Sequence, residues 1–206
     1  MRLIKLLAVL LISLLCTGCF DVLQSVSMQN GEVKLTLRYT VQRGLVDLIS
    51  EFSGDEANIT DILTQADSTV PEFEGMSVEK AVIDNSFYAG SEIRMQGNLE
   101  TIMLDNLEGY FLPIKEGNHF VIRLPELAKE QELDDMAAAF LSGAKYTMLF
   151  DLHGDLKDIS SARLVYEGEA IPDSEYMVNI YGSSMLVEIP MLFLFYAQEN
   201  FYLELS

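Results

Sequence analysis

The stretch that decides the fold is VLQSVSMQNGEVKLTLRYTV, residues 22–41. Its second half alternates apolar and polar residues, and the apolar positions from Val33 to Val41 are two apart, as in a strand that buries one face. Asn30-Gly31 stands between the halves, and these residue types adopt the positive φ angles of a tight hairpin turn at low cost. The sequence therefore predicts strands at 22–28 and 32–41, joined by a turn at 29–31.

Further strand-like segments follow along the chain. They are rich in β-branched and aromatic residues, are separated by Gly, Asn and Ser, and lie at 78–84, 87–96, 110–114, 119–124, 145–153, 162–166, 176–181, 185–189 and 201–205. Ala89-Gly90-Ser91 predicts a bulge in the second of them, because Gly inside a strand often marks one. Strands that follow one another in this way pair as hairpins, which predicts a largely antiparallel sheet.

Apolar residues at helical spacing predict helices as well. The segments are 45–52, 58–66, 128–142 and 190–197, with a shorter helical turn at 98–104. Hairpin strands mixed with helices that do not alternate regularly with them indicate an α+β fold. We therefore expect a largely antiparallel β-sheet packed against three or four helices, in a single domain that spans residues 19–206.

The first nineteen residues have the pattern of an export signal. Arg2 and Lys5 form a positive start, residues 6–15 are an apolar run, and Thr17-Gly18-Cys19 closes it with small residues and a cysteine. This ending resembles the lipobox of bacterial lipoproteins, whose cysteine is acylated, by palmitate among other chains, and becomes the new N-terminus. The resemblance implies a signal peptide at 1–18 and lipidation of Cys19. An ordinary secretory signal and an uncleaved membrane anchor are the alternatives.

The residue after Cys19 bears on location. In bacteria with two membranes the residue at this position influences sorting, and Phe20 is not the Asp that is associated with retention in the inner membrane. The resemblance therefore implies a protein anchored on the extracytoplasmic side, at the periplasmic face of the outer membrane or at the cell surface if the organism is diderm. Because the predicted hairpin begins at Val22, the folded domain should sit close to the membrane.

The composition is acidic and contains little cysteine. The chain has 13 Lys and Arg against 32 Asp and Glu, and the formal charge of −19 disfavours nucleic acid and anionic lipid headgroups as partners. We expect contact with the membrane to come through the acyl chains on Cys19. The two cysteines are Cys16 and Cys19, so the mature domain has no disulfide and no cysteine nucleophile.

One compact group of polar residues is a candidate for chemistry. Asp151, His153 and Asp155, followed by Asp158, offer oxygen and imidazole ligands for a divalent cation at short spacing. The spacing matches no established metal motif, and Asp and Gly are equally typical of a turn between strands, which is the interpretation we favour. The sequence has no phosphate-binding loop, dinucleotide fingerprint or nucleophile elbow, so it predicts no cofactor and no enzyme activity.

Residues 185–197 form the most apolar part of the mature sequence. Two interpretations are open for them. They predict a buried strand and helix, or, together with the apolar stripe at 133–141, the lining of an apolar cavity for an acyl chain.

The order of elements also resembles a known domain. A lipobox, a hairpin and a helix, followed by strands, a glycine loop, a helix and a strand between Tyr146 and Leu205, are similar to the LppM-type domain of bacterial surface lipoproteins, and the best local segment is LFDLHG at 149–154. The resemblance assigns no catalytic residue. The sequence thus predicts a membrane-anchored lipoprotein that acts as a non-catalytic binding or scaffold module, with an envelope protein or a lipid as its partner. The alternatives are a lipid carrier with an apolar cavity and a hydrolase with a dispersed site.

Overall fold

The structure is a computed structural model, and it describes residues 20–45, 75–98, 112–124, 141–196 and 201–206. Their strands form two sheets. The seven-stranded sheet contains, in spatial order, β10 (Met177–Tyr181), β11 (Ser184–Pro190), β7 (Lys145–Asp151), β1 (Phe20–Gln29), β2 (Glu32–Gln42), β4 (Tyr88–Asn98) and β3 (Met76–Asp84). The five-stranded sheet contains β5 (Ile114–Glu116), β6 (His119–Arg123), β12 (Phe201–Leu205), β8 (Ala162–Tyr166) and β9 (Glu169–Ala170).

The hairpin predicted at residues 22–41 is confirmed. Strands β1 and β2 pair antiparallel, from Phe20 opposite Val41 to Gln29 opposite Glu32. The two turn residues have positive φ angles, 53° at Asn30 and 77° at Gly31, as a tight hairpin turn requires. Local sequence is therefore enough to set this register.

Strand β1 lies in the middle of the seven-stranded sheet. It is antiparallel to β2 on one side and parallel to β7 on the other, and this is the one parallel pair among the described strands. Every second residue of β1 faces the core, so Gln24, Val26 and Met28 are all buried. The parallel pairing joins segments more than a hundred residues apart, so no local pattern predicts it.

The two sheets share one hydrophobic core. The seven-stranded sheet contributes alternate residues such as Leu35, Ile93 and Phe150, and the five-stranded sheet contributes residues such as Leu164 and Leu203. Each sheet therefore buries one face, which is the arrangement of a two-layer β domain.

The expected α+β fold, with a sheet packed against three or four helices, is wrong. The described residues contain two sheets and two complete short helices, a 3-10 turn at Gly154–Leu156 and helix α1 at Met191–Tyr196, besides helical residues at 43–45 and 141 that border segments outside the description. The second sheet supplies the apolar surface that we expected helices to supply. The helices predicted at 45–52, 58–66, 98–104 and 128–142 lie, apart from their end residues, outside the described part of the chain.

The bulge predicted at Ala89-Gly90-Ser91 is also wrong. Strand β4 pairs without interruption through these residues, with Gly90 opposite Thr40 of β2. The glycine is needed for a different reason: a Cβ atom at this position would lie 2.1 Å from the backbone oxygen of Tyr39. Gly90 thus permits two strands to approach closely instead of marking an extra residue.

Candidate functional site

The seven-stranded sheet has two ends that differ in chemistry. At the end where β1 begins, Phe20, Val41, Ala89 and Asp84 form a row that is paired across four neighbouring strands. We call this end of the sheet the near end. The far end lies at the opposite ends of the same strands, where Gln29, Glu32 and Asn98 are paired. Since β1 has ten residues, the two ends are roughly 30 Å apart along the strands.

A structured loop closes the far end. It runs from Leu152 to Ile159, and Leu152, Leu156 and Ile159 are buried in the core. Gly154 has a φ angle of 60°, and a Cβ atom on it would lie 2.4 Å from the backbone oxygen of Met28 in β1. The loop therefore packs directly against the end of β1.

Asp151 and His153 form a bonded pair at this end. The Nδ1 atom of the His153 ring lies 2.5 Å from Oδ1 of Asp151, which also accepts the His153 backbone N–H at 3.2 Å. Ser27 of β1 donates to the other carboxylate oxygen at 3.3 Å. The hydrogen bond from the His153 side chain, reinforced by the weaker bonds from Ser27 and the backbone, holds the pKa of Asp151 below its usual value.

The third metal candidate, Asp155, turns to a different partner. Its carboxylate accepts the backbone N–H of Gly31 in the β1–β2 turn at 3.1 Å. Within the described residues, no three His, Cys, Asp or Glu side chains come together as a metal site. In this structure the carboxylate of Asp151, the last residue of β7, binds Ser27 and His153, whereas the carboxylate of Asp155 in the loop binds the β1–β2 turn.

A polar cleft lies at the far end, beside the β1–β2 turn. Its volume is about 560 Å³, and it is lined by Gln29, Asn30, Glu32, Ser77, Gln96, Gly97 and Asn98. The side-chain amide of Gln96 donates to the Glu32 carboxylate, so two lining groups from neighbouring strands are already oriented. We call this group of residues the far-end cleft. Amide, hydroxyl and carboxylate groups on a β framework can recognise polar ligands through hydrogen bonds.

The sequence analysis did not identify the far-end cleft. Its lining residues come from four strands and one turn, and they are unremarkable in composition when read along the chain. Only the strand register places Glu32 opposite Asn98 and brings Gln96 opposite Ser77. The one sequence signal nearby is the Asn30-Gly31 turn, which locates the end of the hairpin but none of its partners.

A buried polar pair lies in the core, away from the cleft. The hydroxyl of Tyr146 in β7 donates to the side-chain oxygen of Gln24 in β1, and both residues are almost completely buried. Burial raises the pKa of the Tyr146 phenol well above its ordinary value. The pair joins the two parallel strands from within the core.

The apolar residues at 185–197 pack in the core where the structure describes them. Met185, Val187 and Ile189 of β11 and Met191 and Leu194 of α1 are each at most 1% exposed. This confirms the interpretation of a buried strand and helix over 185–194. The stripe at 133–141, which was to complete the alternative cavity, lies almost wholly outside the described residues.

Cys19 also lies outside the described residues, but its neighbour Phe20 begins β1 at the near end. None of the described helices is long and apolar enough to cross a membrane. The fold defines the class of a two-sheet, predominantly β domain. Comparison with protein families gives no match to this chain, and no curated protein sequence matches it. The resemblance to LppM-type domains therefore stays a prediction.

Proposed function

We propose that this protein is an extracytoplasmic bacterial lipoprotein, held at a membrane by acyl chains on Cys19, whose β domain is a non-catalytic binding or scaffold module. The observation that supports it most directly is the position of Phe20. This residue follows the lipobox cysteine and is already the first residue of the central strand β1. The domain therefore begins without a linker, and its near end faces the anchor.

We propose that the binding surface lies at the other end of the sheet. The far-end cleft lies roughly 30 Å from the row of Phe20, which is the length of β1. We therefore infer that the cleft points away from the bilayer and meets a polar partner from the envelope.

The anchor is tested with the full chain expressed in a bacterial host. In the unchanged protein we expect an N-terminus at Cys19 with the mass of attached acyl chains, and recovery in the membrane fraction. Cys19→Ser should abolish the acyl mass. Cys16→Leu is the matched control, because it removes the other cysteine of the chain, keeps an apolar residue three positions before Cys19 and should leave acylation intact. An unmodified Cys19 in the unchanged protein would refute the proposal.

The same mass measurement distinguishes the lipid-carrier alternative from the proposed binding or scaffold module. A lipid that is retained non-covalently after purification, in addition to the acyl chains on Cys19, would favour an apolar-cavity carrier. Within the described residues, the inner faces of both sheets pack into one core, and the far-end cleft is polar. The proposed binding or scaffold module predicts that no stoichiometric second lipid is retained.

A further inference from the structure

The turn between β3 and β4 exposes two aromatic side chains, Phe87 and Tyr88, which we call the aromatic tip. Phe87 is 74% exposed and Tyr88 is 40% exposed. Val82, on the same hairpin, is 56% exposed. A Phe this exposed at the end of a hairpin contributes nothing to the core, so its apolar surface is available for another environment.

The polar backbone around the aromatic tip is already satisfied. The side-chain oxygen of Asn85 accepts the N–H groups of Phe87 and Tyr88, both at 2.9 Å. The backbone N–H of Arg43 donates to the Phe87 carbonyl at 2.9 Å, and its Nε donates to the Asn85 carbonyl at 2.7 Å. The Arg43 guanidinium also pairs with Asp84. Because these groups have partners within the protein, moving the tip out of water leaves few of them unpaired.

The aromatic tip projects from the near end of the sheet, where the chain leaves toward Cys19. Ala89 follows Tyr88 and is two strands from Phe20 in the near-end row, which is about 10 Å. The tip extends past that row, at the end of the sheet where β1 begins with Phe20. The aromatic tip and the residue that follows the predicted anchor cysteine in the sequence therefore lie at the same end of the sheet.

We propose that Phe87 and Tyr88 insert into the interfacial layer of the bilayer that holds the acyl chains of Cys19. The proposal rests on the lipid anchor proposed above. Aromatic rings with an apolar body favour this layer, and a second contact beside the anchor would fix the tilt of the domain. The occupant is a bilayer surface of zwitterionic headgroups, because a chain with a formal charge of −19 is repelled by anionic ones.

The test uses tryptophan fluorescence, because the chain contains no Trp. Phe87→Trp then provides a single reporter in the aromatic tip of the full, processed protein. The matched control is Tyr181→Trp. Tyr181 is 67% exposed and belongs to the row of Ser184, Asp151 and Ser27, seven residues along β1 from Phe20. Both variants are purified from membranes and reconstituted in phosphatidylcholine vesicles, with or without bromine on the acyl chains.

We expect brominated vesicles to quench the fluorescence of Phe87→Trp by about twofold and to leave that of Tyr181→Trp unchanged, because interfacial groups reach roughly 5–10 Å into the boundary and the control row lies farther away. The emission of the Phe87→Trp variant should also shift to shorter wavelength in vesicles. Equal quenching of the two variants, with acylated Cys19, would overturn the proposal.

The acyl mass attached to Cys19 is measured on the same samples. The lipid anchor and the insertion of the aromatic tip can therefore be contradicted separately. An acylated Cys19 without quenching of the Phe87→Trp variant contradicts the insertion alone. An unmodified Cys19 contradicts the anchor, and selective quenching of the Phe87→Trp variant by added vesicles would then still support the aromatic tip as a membrane contact. An unmodified Cys19 together with no quenching of the Phe87→Trp variant would overturn both the anchor and the insertion.

Discussion

Replacing Tyr146 by Phe removes one hydroxyl from the centre of the core and should destabilise the protein measurably. Tyr146 is 3% exposed and its partner Gln24 is 0% exposed. Without the hydroxyl, the side-chain oxygen of Gln24 loses a donor in a place where water does not replace it easily. An acceptor left in this state costs about 1–3 kcal/mol, so we expect the free energy of unfolding to fall by that amount.

The measurement is urea denaturation followed by far-ultraviolet circular dichroism, with the slope of the transition compared between variants. Tyr176→Phe is the control, because the Tyr176 hydroxyl donates to Asp173, which is exposed and can return to water. We expect the control to cost less than about 1 kcal/mol. The double variant Gln24→Met with Tyr146→Phe should cost less than the sum of the two single changes, because it removes both polar groups together.

A second measurement tests the environment of the phenol. Burial raises the pKa of folded Tyr146 above the ordinary value of 10.0, so the unfolded chain releases this proton first as the pH rises. Stability should therefore decrease above pH 10 in the unchanged protein, and Tyr146→Phe should decrease less over the same range. An unchanged free energy of unfolding in Tyr146→Phe, together with an identical alkaline profile, would refute the buried hydrogen bond.

Two further predictions concern the far end of the sheet. Gly154→Ala should lower the free energy of unfolding by about 2–4 kcal/mol, whereas the control Gly182→Ala should lower it by about 1 kcal/mol. Both glycines have a φ angle of 60°, but only at Gly154 would the new Cβ atom collide with backbone, namely the Met28 oxygen. Equal losses in urea denaturation would contradict the close packing of the loop on β1. The lowered pKa of Asp151 predicts a contribution to stability that is present above pH 3.8 and lost as the pH falls below it. Because the Asp151 side chain is 45% exposed, this contribution should stay below about 1 kcal/mol. Asp151→Asn should remove the contribution from the acid denaturation profile. A profile identical to that of the unchanged protein would count against the hydrogen bond between Asp151 and His153.

Much of the strand pattern could be predicted from the sequence, because it depends on local alternation and turn chemistry. The strand predicted at 162–166 matches β8, and that at 201–205 matches β12. Helical spacing was a poorer guide to the architecture. Apolar residues in that pattern suggested that helices would cover the sheet, but the described core is closed by a second sheet of short strands. Such strands are brief, and one of them, β9, has two residues, too few to show a period.

The candidate site could be predicted only in part. Asp151, His153 and Asp155 were recognisable as a polar group, and their favoured role in a turn depended on nearby Gly154. Their partners were not recognisable. Ser27 and Gly31 lie 124 residues away from the carboxylates that they bond, and only the parallel pairing of β1 with β7 brings them together.

The sequence by itself determined the first hairpin and the pattern that predicts an anchor at Cys19, since turn preference and an export signal are properties of neighbouring residues. The tertiary structure decided how the rest is arranged around them. It placed β7 beside β1, a second sheet over the first, the aromatic tip at the end that leads to Cys19, and the cleft at the opposite end. These placements depend on which distant strands bury their apolar faces together, and that free energy is gained only when the whole core closes.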